Sequence, residues 1–187
     1  MSESESAREP LAWRLRAIVG EQNVLESEPM SEHTTFRVGG PADLYVIPED
    51  AGEVRDVLRA CDEDGVERFV LGRGSDLLVS DEGYRGVIVA LGEGLMGVSV
   101  DGTAMTCEAG VDLREASEMA CELGLSGLEF ACGIPGSVGG ACFMNAGAYG
   151  GCVADVLKSV RVVSPDGSID TLGVEELELG YRRSRVA

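Results

Sequence analysis

The chain has 187 residues, 44% of them hydrophobic, and 33 acidic side chains against 15 basic ones give it a formal charge of -18. That length allows one domain, or two small subdomains, with a sizeable core. So acidic a surface, with Lys158 as the only lysine, repels phosphate backbones and anionic lipid and argues against nucleic-acid and membrane-surface roles.

Met1 to Glu9 is acidic and polar. It lacks the basic and apolar regions of a signal peptide and is expected to be disordered. No uncharged apolar run reads as a membrane span. The six cysteines, Cys61, Cys107, Cys121, Cys132, Cys142 and Cys152, form no C-x-x-C, and His33 is the only histidine. No metal site is expected, and the thiols read as reduced, mostly core-packing groups of a cytoplasmic protein.

In chain order, Pro10 suits the first turn of a helix carrying Leu11, Leu15 and Ile18, with Gly20 to end it. Glu21 to Pro29 has no period and reads as a connection. Thr34, Thr35, Phe36 and Val38 favour extended structure before a turn at Gly39-Gly40-Pro41. Ala42 to Pro48 reads as a strand. Glu49 to Asp64 reads as a helix, because Val54, Val57, Leu58 and Cys61 share one face. Arg68 to Leu71 is a short strand running into Gly72-Arg73-Gly74-Ser75-Asp76, with Leu77 to Val79 expected to be strand again. This loop matches neither a G-x-G-x-x-G fingerprint nor a P-loop. It can serve as an ordinary turn, or hold a pyrophosphate through backbone N–H groups and Ser75.

Gly86 to Leu91 is a buried strand, and Asp101-Gly102 marks a hairpin between Leu95–Val100 and Thr103–Ala109. Asp112 and Glu115 fit the start of a helix carrying Leu113, Ala116, Ala120 and Leu123, which Gly124 ends. Val156 to Val163 and Ser168 to Leu172 pair across a Ser164–Gly167 turn. The mix is neither strictly alternating nor all-β, and the expected fold is α+β with two small sheets.

Between these elements lies Gly133 to Gly151, in which seven of nineteen residues are glycine and none is charged. Ile134, Val138, Phe143, Met144 and Tyr149 distinguish it from a flexible linker. Glycine in a packed loop either turns the chain tightly or lets a ligand approach the backbone, and uncharged backbone N–H groups suit phosphate. The two glycine loops are expected to face one elongated ligand.

The motifs HTTFRVGGPAD at 33–43, LGRGSDLLVSDEGYRGVIV at 71–89, GLSGLEFACGIPGSVGGACFMNAGAYGG at 124–151 and ELGYRRS at 178–184 occur in this order. Together they resemble the UDP-N-acetylenolpyruvoylglucosamine reductase family, flavoenzymes of bacterial peptidoglycan synthesis. The resemblance implies the PCMH-type FAD-binding fold of the vanillyl-alcohol oxidase group. It implies an FAD-binding domain over 33–187, with subdomains near 33–91 and 92–187, after an N-terminal segment 1–32. Gly72, Arg73, Gly74, Ser75 and Asp76 would hold the FAD pyrophosphate. Gly133, Ile134, Gly136, Ser137, Val138, Gly139 and Gly140 would continue that bed, and Asn145, Ala146 and Gly147 would lie along the same cofactor.

The family's reaction moves a hydride from NADPH to FAD and on to a UDP-sugar enolpyruvyl substrate, with Arg182 as the catalytic arginine of a Tyr-Arg-x-Ser motif. FAD is expected to be bound non-covalently. Asp76 departs from the asparagine frequent in the family, and its carboxylate must face a backbone donor to tolerate a pyrophosphate. The family's substrate-binding domain, with a serine and a late glutamate, is expected to be absent, since the sequence stops three residues after Ser184. The alternatives are an FAD- or nucleotide-binding fragment without turnover, or another oxidase of the same FAD-binding group.

Overall fold

The structure, a computed structural model, describes residues 3–186; Met1, Ser2 and Ala187 lie outside the described residues. The chain divides into two compact units, one running up to Gly94 and including Val163–Ile169, the other Leu95–Val162 and the residues from Asp170 on.

The first unit is built on a four-stranded sheet, β1 (Val24–Pro29), β2 (Pro41–Val46), β3 (Arg68–Leu71) and β4 (Tyr84–Ala90), in spatial order β1-β2-β4-β3. β1 runs antiparallel to β2, while β2 and β3 both run parallel to β4. Central β4 is buried from Gly86 to Ala90, so its valines and isoleucine each contribute roughly 1.5–3 kcal/mol by leaving water. Successive residues point to opposite faces. Leu44, Val46, Val87 and Val89 meet α1 (Glu3–Val19) and α2 (Ala51–Glu63) through Leu11, Leu15, Val57 and Cys61. Tyr45, Ile88 and Ala90 face the other way, into a second cluster with Met30 and Leu71, to which Leu77 and Val79 add partly buried side chains. α2 starts at Asp50, whose carboxylate accepts the Glu53 N–H at 2.9 Å.

Four expectations need correction here. Helix α1 begins at Glu3, so residues 3–9 are helical and Pro10 lies inside the helix. Val24–Pro29 is a strand, although it lacked a period, because it lies on the sheet edge and buries only Val24. Thr34 to Val38 is not extended: the Arg37 N–H turns back to the Thr34 carbonyl at 3.0 Å and Arg37 has φ 53°. Leu77 to Val79 is likewise irregular chain, not strand.

The second unit carries the hairpin β5 (Val98–Asp101) and β6 (Ala104–Cys107), then α4 (Leu113–Glu122), α5 (Val138–Met144), a small hairpin β7 (Gly147–Ala148) and β8 (Gly151–Cys152), and all but the end residues Val163 and Ile169 of the pair β9 (Ser159–Val163) and β10 (Ile169–Gly173). α4 starts as the sequence indicates, with Asp112 accepting N–H groups of Arg114 and Glu115. α5 falls inside the glycine-rich stretch read as a loop. Ser137 caps it, with Oγ accepting the Gly140 N–H at 3.2 Å, and left-handed Asn145 ends it. Its core is Leu113, Phe130, Ala131, Ala141, Cys142, Ala146 and Val153. Among the described residues no helix is long and apolar enough to cross a membrane.

All six cysteines are free, but only Cys61 and Cys142 are buried, and Cys121 and Cys132 are exposed. Burial pushes the Cys61 and Cys142 thiols up to about 11, so at pH 8 both stay neutral as well as shielded. A water-soluble thiol reagent at pH 8 should therefore modify Cys121 and Cys132 within minutes and reach Cys61 and Cys142 only after denaturation. Peptide mapping checks this, and fast labelling of Cys61 or Cys142 in the folded chain would contradict it.

Candidate functional site

In the first unit the Gly72–Asp76 loop leaves β3 at buried Leu71 and is gripped by two walls of backbone. One wall is the His33–Thr35 turn. Gly74, buried and at φ 62°, turns where an added Cβ would collide with the His33 carbonyl, and its own carbonyl accepts the Thr35 N–H at 3.0 Å. The other wall is the short turn α3 (Leu91–Gly94), where Gly92 leaves no room for a side chain against the Gly72 carbonyl. Glycine is required at these two points by close approach of one backbone to another. Arg73 and Asp76 are exposed and Ser75 is half-buried. The motifs at 33–43 and 71–89 are thus in contact. Thr34 supports the turn from inside, its buried Oγ1 donating to the Val38 carbonyl at 2.9 Å.

The second unit brings together the other two motifs. Asn145, at φ 43°, is the node: its Nδ2 donates to the Gly180 carbonyl at 3.0 Å, and its Oδ1 accepts the Ala154 N–H at 3.0 Å. Ser184, 4% exposed, donates from Oγ to the Phe143 carbonyl at 2.7 Å. Between these anchors the Gly180 and Arg183 backbones exchange hydrogen bonds of 3.0 and 3.4 Å. Tyr181 and Arg182 therefore occupy the tip of a tight turn. Both are exposed, and Arg182 has φ 87°, a conformation costing a non-glycine residue roughly 1–3 kcal/mol.

Several of the N–H groups expected to receive phosphate are already used. Ile134 donates to Ala131, Val138 to Val111, Gly139 to Ala109, and Ala146 to Ala141. Gly140 donates to Ser137 Oγ. An added Cβ at Gly139 would stand 2.8 Å from the Ala109 Cβ, so this glycine already serves packing within the unit. Gly136 is half-buried, while Gly133, Gly140 and Gly147 are exposed. Near an added Cβ at Gly133 lies only the exposed ring of Tyr149, from 3.6 Å.

The stretch therefore offers bare glycine surface and no carboxylate between Glu129 and Asp155. Those two flanking carboxylates are themselves occupied, accepting the Gly127 and Cys152 N–H groups at 2.8 Å each. Such a surface fits an anionic cofactor: nothing along it repels phosphate, and glycine admits a flat ring close to the backbone.

Each unit, taken by itself, thus presents a glycine-lined surface of the kind that suits a nucleotide cofactor. The family described as "FAD binding domain" matches residues 42–173, and the chain belongs to that family. The likeness to UDP-N-acetylenolpyruvoylglucosamine reductases carried by the four motifs extends over most of the chain. The Syntrophomonas wolfei relative of that name is 49% identical over 84% of this chain and 53% of its own length. The Geobacillus kaustophilus one is 48% identical over 96% of this chain and 59% of its own. The chain thus spans rather more than half the length of these curated relatives. The crystal structure of the reductase from Thermus caldophilus has 37% identity and a TM-score of 0.71, over 88% of this chain and 56% of the other. p-Cresol methylhydroxylase, at 16% identity and a TM-score of 0.63 over 93% of this chain and 37% of its own, shares the fold. The PCMH-type FAD-binding fold is therefore established, and FAD is its cofactor.

Asn145 should be a structural node whatever else it touches. Asn145→Ala removes two hydrogen bonds and strands the Ala154 N–H and Gly180 carbonyl, at a cost of about 2 kcal/mol. Asn145→Asp keeps the acceptor but sets a carboxylate oxygen against the Gly180 carbonyl, so it should cost at least as much. Urea unfolding of the flavin-free chain measures both, and an unchanged midpoint in Asn145→Ala would contradict the assignment.

Proposed function

We propose that the chain is the FAD-binding part of a reductase that uses NADPH to convert UDP-N-acetylglucosamine enolpyruvate to UDP-N-acetylmuramate. The step belongs to peptidoglycan synthesis and so to cell-wall growth, cell shape and division. The observation that carries this reading is Arg182, held at the tip of a turn anchored by Asn145 and Ser184 beside the glycine-rich segment. Bound FAD supplies hydride transfer between NADPH and the substrate.

The residues of this chain supply binding and charge. Gly72, Arg73, Gly74, Ser75 and Asp76 form the pyrophosphate loop. Gly133, Ile134, Gly136, Ser137, Val138, Gly139, Gly140, Asn145, Ala146 and Gly147 form the second surface. Ala146 supports that surface from beneath, since it is buried, its N–H donates to the Ala141 carbonyl and its carbonyl accepts the Val153 N–H at 3.0 Å. Arg182 grips the substrate carboxylate. Adding hydride to the β-carbon of an enolpyruvyl group drives charge onto that carboxylate, and a guanidinium can meet it with two parallel N–H bonds at any relevant pH.

FAD is held without a covalent link. Both ring nitrogens of His33 are engaged by carboxylates, at 2.9 and 3.0 Å from Glu28 and Glu93, and the Cys142 thiol is buried. We place the reaction in the cytoplasm, where NADPH and nucleotide sugars are found.

The purified chain should be yellow and should release its flavin on acid precipitation; flavin retained by the precipitate would contradict non-covalent binding. Joined to the C-terminal part of a curated relative, Arg182→Ala should leave reduction by NADPH intact. Reoxidation by the enolpyruvyl substrate should slow by about a hundredfold or more. Stopped-flow absorbance separates the two half-reactions, and near-normal reoxidation would overturn the role of Arg182.

A further inference from the structure

The sole histidine sits in a bracket that the proposed reaction leaves unused. His33 follows β1, and its Nε2 lies 2.9 Å from Glu28 Oε1 on that strand. Its Nδ1 lies 3.0 Å from Glu93 Oε1 on α3. The ring stacks on Tyr45 of β2, with centroids 4.1 Å apart and planes inclined by 28°. The Tyr45 hydroxyl donates to the same Glu93 oxygen at 2.5 Å. Burial, reinforced by that bond, pushes the Tyr45 phenol well above its usual range, so it stays a donor. Carboxylates only accept, so a ring nitrogen facing one meets it as an N–H donor. The ring is three-quarters or more covered, and three different elements hold it in place.

The two ends of the His33–Glu93 contact belong to the two walls of the Gly72–Asp76 loop. On one side the His33 carbonyl is the surface against which Gly74 turns. On the other, Glu93 directly follows Gly92, which abuts the Gly72 carbonyl. No side chain separates the loop from either wall, so a shift of either wall moves the loop backbone directly. The contact between His33 and Glu93 is a side-chain link that spans the two walls, with Tyr45 bracing it from the sheet.

We propose that His33 is a positioning residue for the Gly72–Asp76 loop: its clasp to Glu93 fixes the spacing of the two walls, and FAD affinity depends on that clasp. The proposal rests on the reading that this loop holds the FAD pyrophosphate. A preorganised loop avoids ordering its backbone when the ligand arrives, and that saving appears directly in affinity.

The test is a fluorescence titration of FAD, with ADP as a second probe of the pyrophosphate end, into the flavin-depleted 187-residue chain. His33→Ala and Glu93→Ala should each weaken FAD by about tenfold, with a parallel loss for ADP. The double variant should be no weaker than the worse single one, because the two residues act as one link. Glu93→Gln, whose amide oxygen still accepts, should recover most of the affinity. Glu93 is half-exposed, so its variants keep the test open if His33→Ala is poorly folded.

Unchanged FAD affinity in Glu93→Ala would overturn the proposal. So would additive losses, or a Glu93→Gln loss as large as that of Glu93→Ala. Ser75→Ala and Gly74→Ala separate this from the reading beneath it. If both bind FAD normally, the loop is not the pyrophosphate site and both ideas fall. If they lose FAD while His33→Ala and Glu93→Ala do not, only the clasp is wrong.

Discussion

The first unit depends on one kind of contact: backbone laid on backbone with no side chain between. At Gly74 the loop after β3 turns directly over the His33 carbonyl, and at Gly92 the turn after β4 closes on the Gly72 carbonyl. Such contacts are short and stiff, because neither partner has a rotamer with which to yield. They convert the rigidity of a sheet whose central strand is buried on both faces into rigidity of a loop that is itself partly exposed. The loop then presents peptide groups at fixed positions, which suits a ligand recognised by its phosphates.

The second unit reaches the same end by different means. Its glycine-rich segment is not a loose cradle but a packed piece of structure, with the short helix α5 and an apolar core beneath it. Many of its N–H groups are occupied internally, so what it can offer a cofactor is bare surface and shape more than a row of donors. Asn145 links this surface to the turn bearing Arg182 through the bond from its Nδ2 to the Gly180 carbonyl, while its Oδ1 holds the Ala154 N–H. The proposed cofactor surface and the arginine proposed to be catalytic thereby lie within a single unit.

Where hydrophobic period and capping agree, the sequence was readable. The helix capped at Asp112, the helix over Ala51–Glu63 and the strand Arg68–Leu71 all follow that logic. The failures have physical causes. β1 buries one residue of six, so pairing with β2, not burial, makes it a strand. In α5 Gly139 and Gly140 hide the helical signal, leaving the Ser137 cap as its trace. Thr34 and Thr35 have strand propensity, yet tertiary contacts with Gly74 impose a turn. The motifs named the candidate site residues, but not how they are held. Glu28, His33, Tyr45 and Glu93 meet only through the sheet topology, and no spacing along the chain announces it. The one visible signal was a lone histidine beside two threonines.

The central proposal is that FAD is bound through the glycine-rich segments Gly72–Asp76 and 133–147. Hydrogen exchange of the 187-residue chain, with and without saturating FAD, tests it most directly. The account predicts slowed exchange at Gly72–Asp76 and within residues 133–147, with the Val98–Cys107 hairpin unaffected. Stoichiometric FAD binding that leaves exchange in both glycine segments unchanged would contradict it.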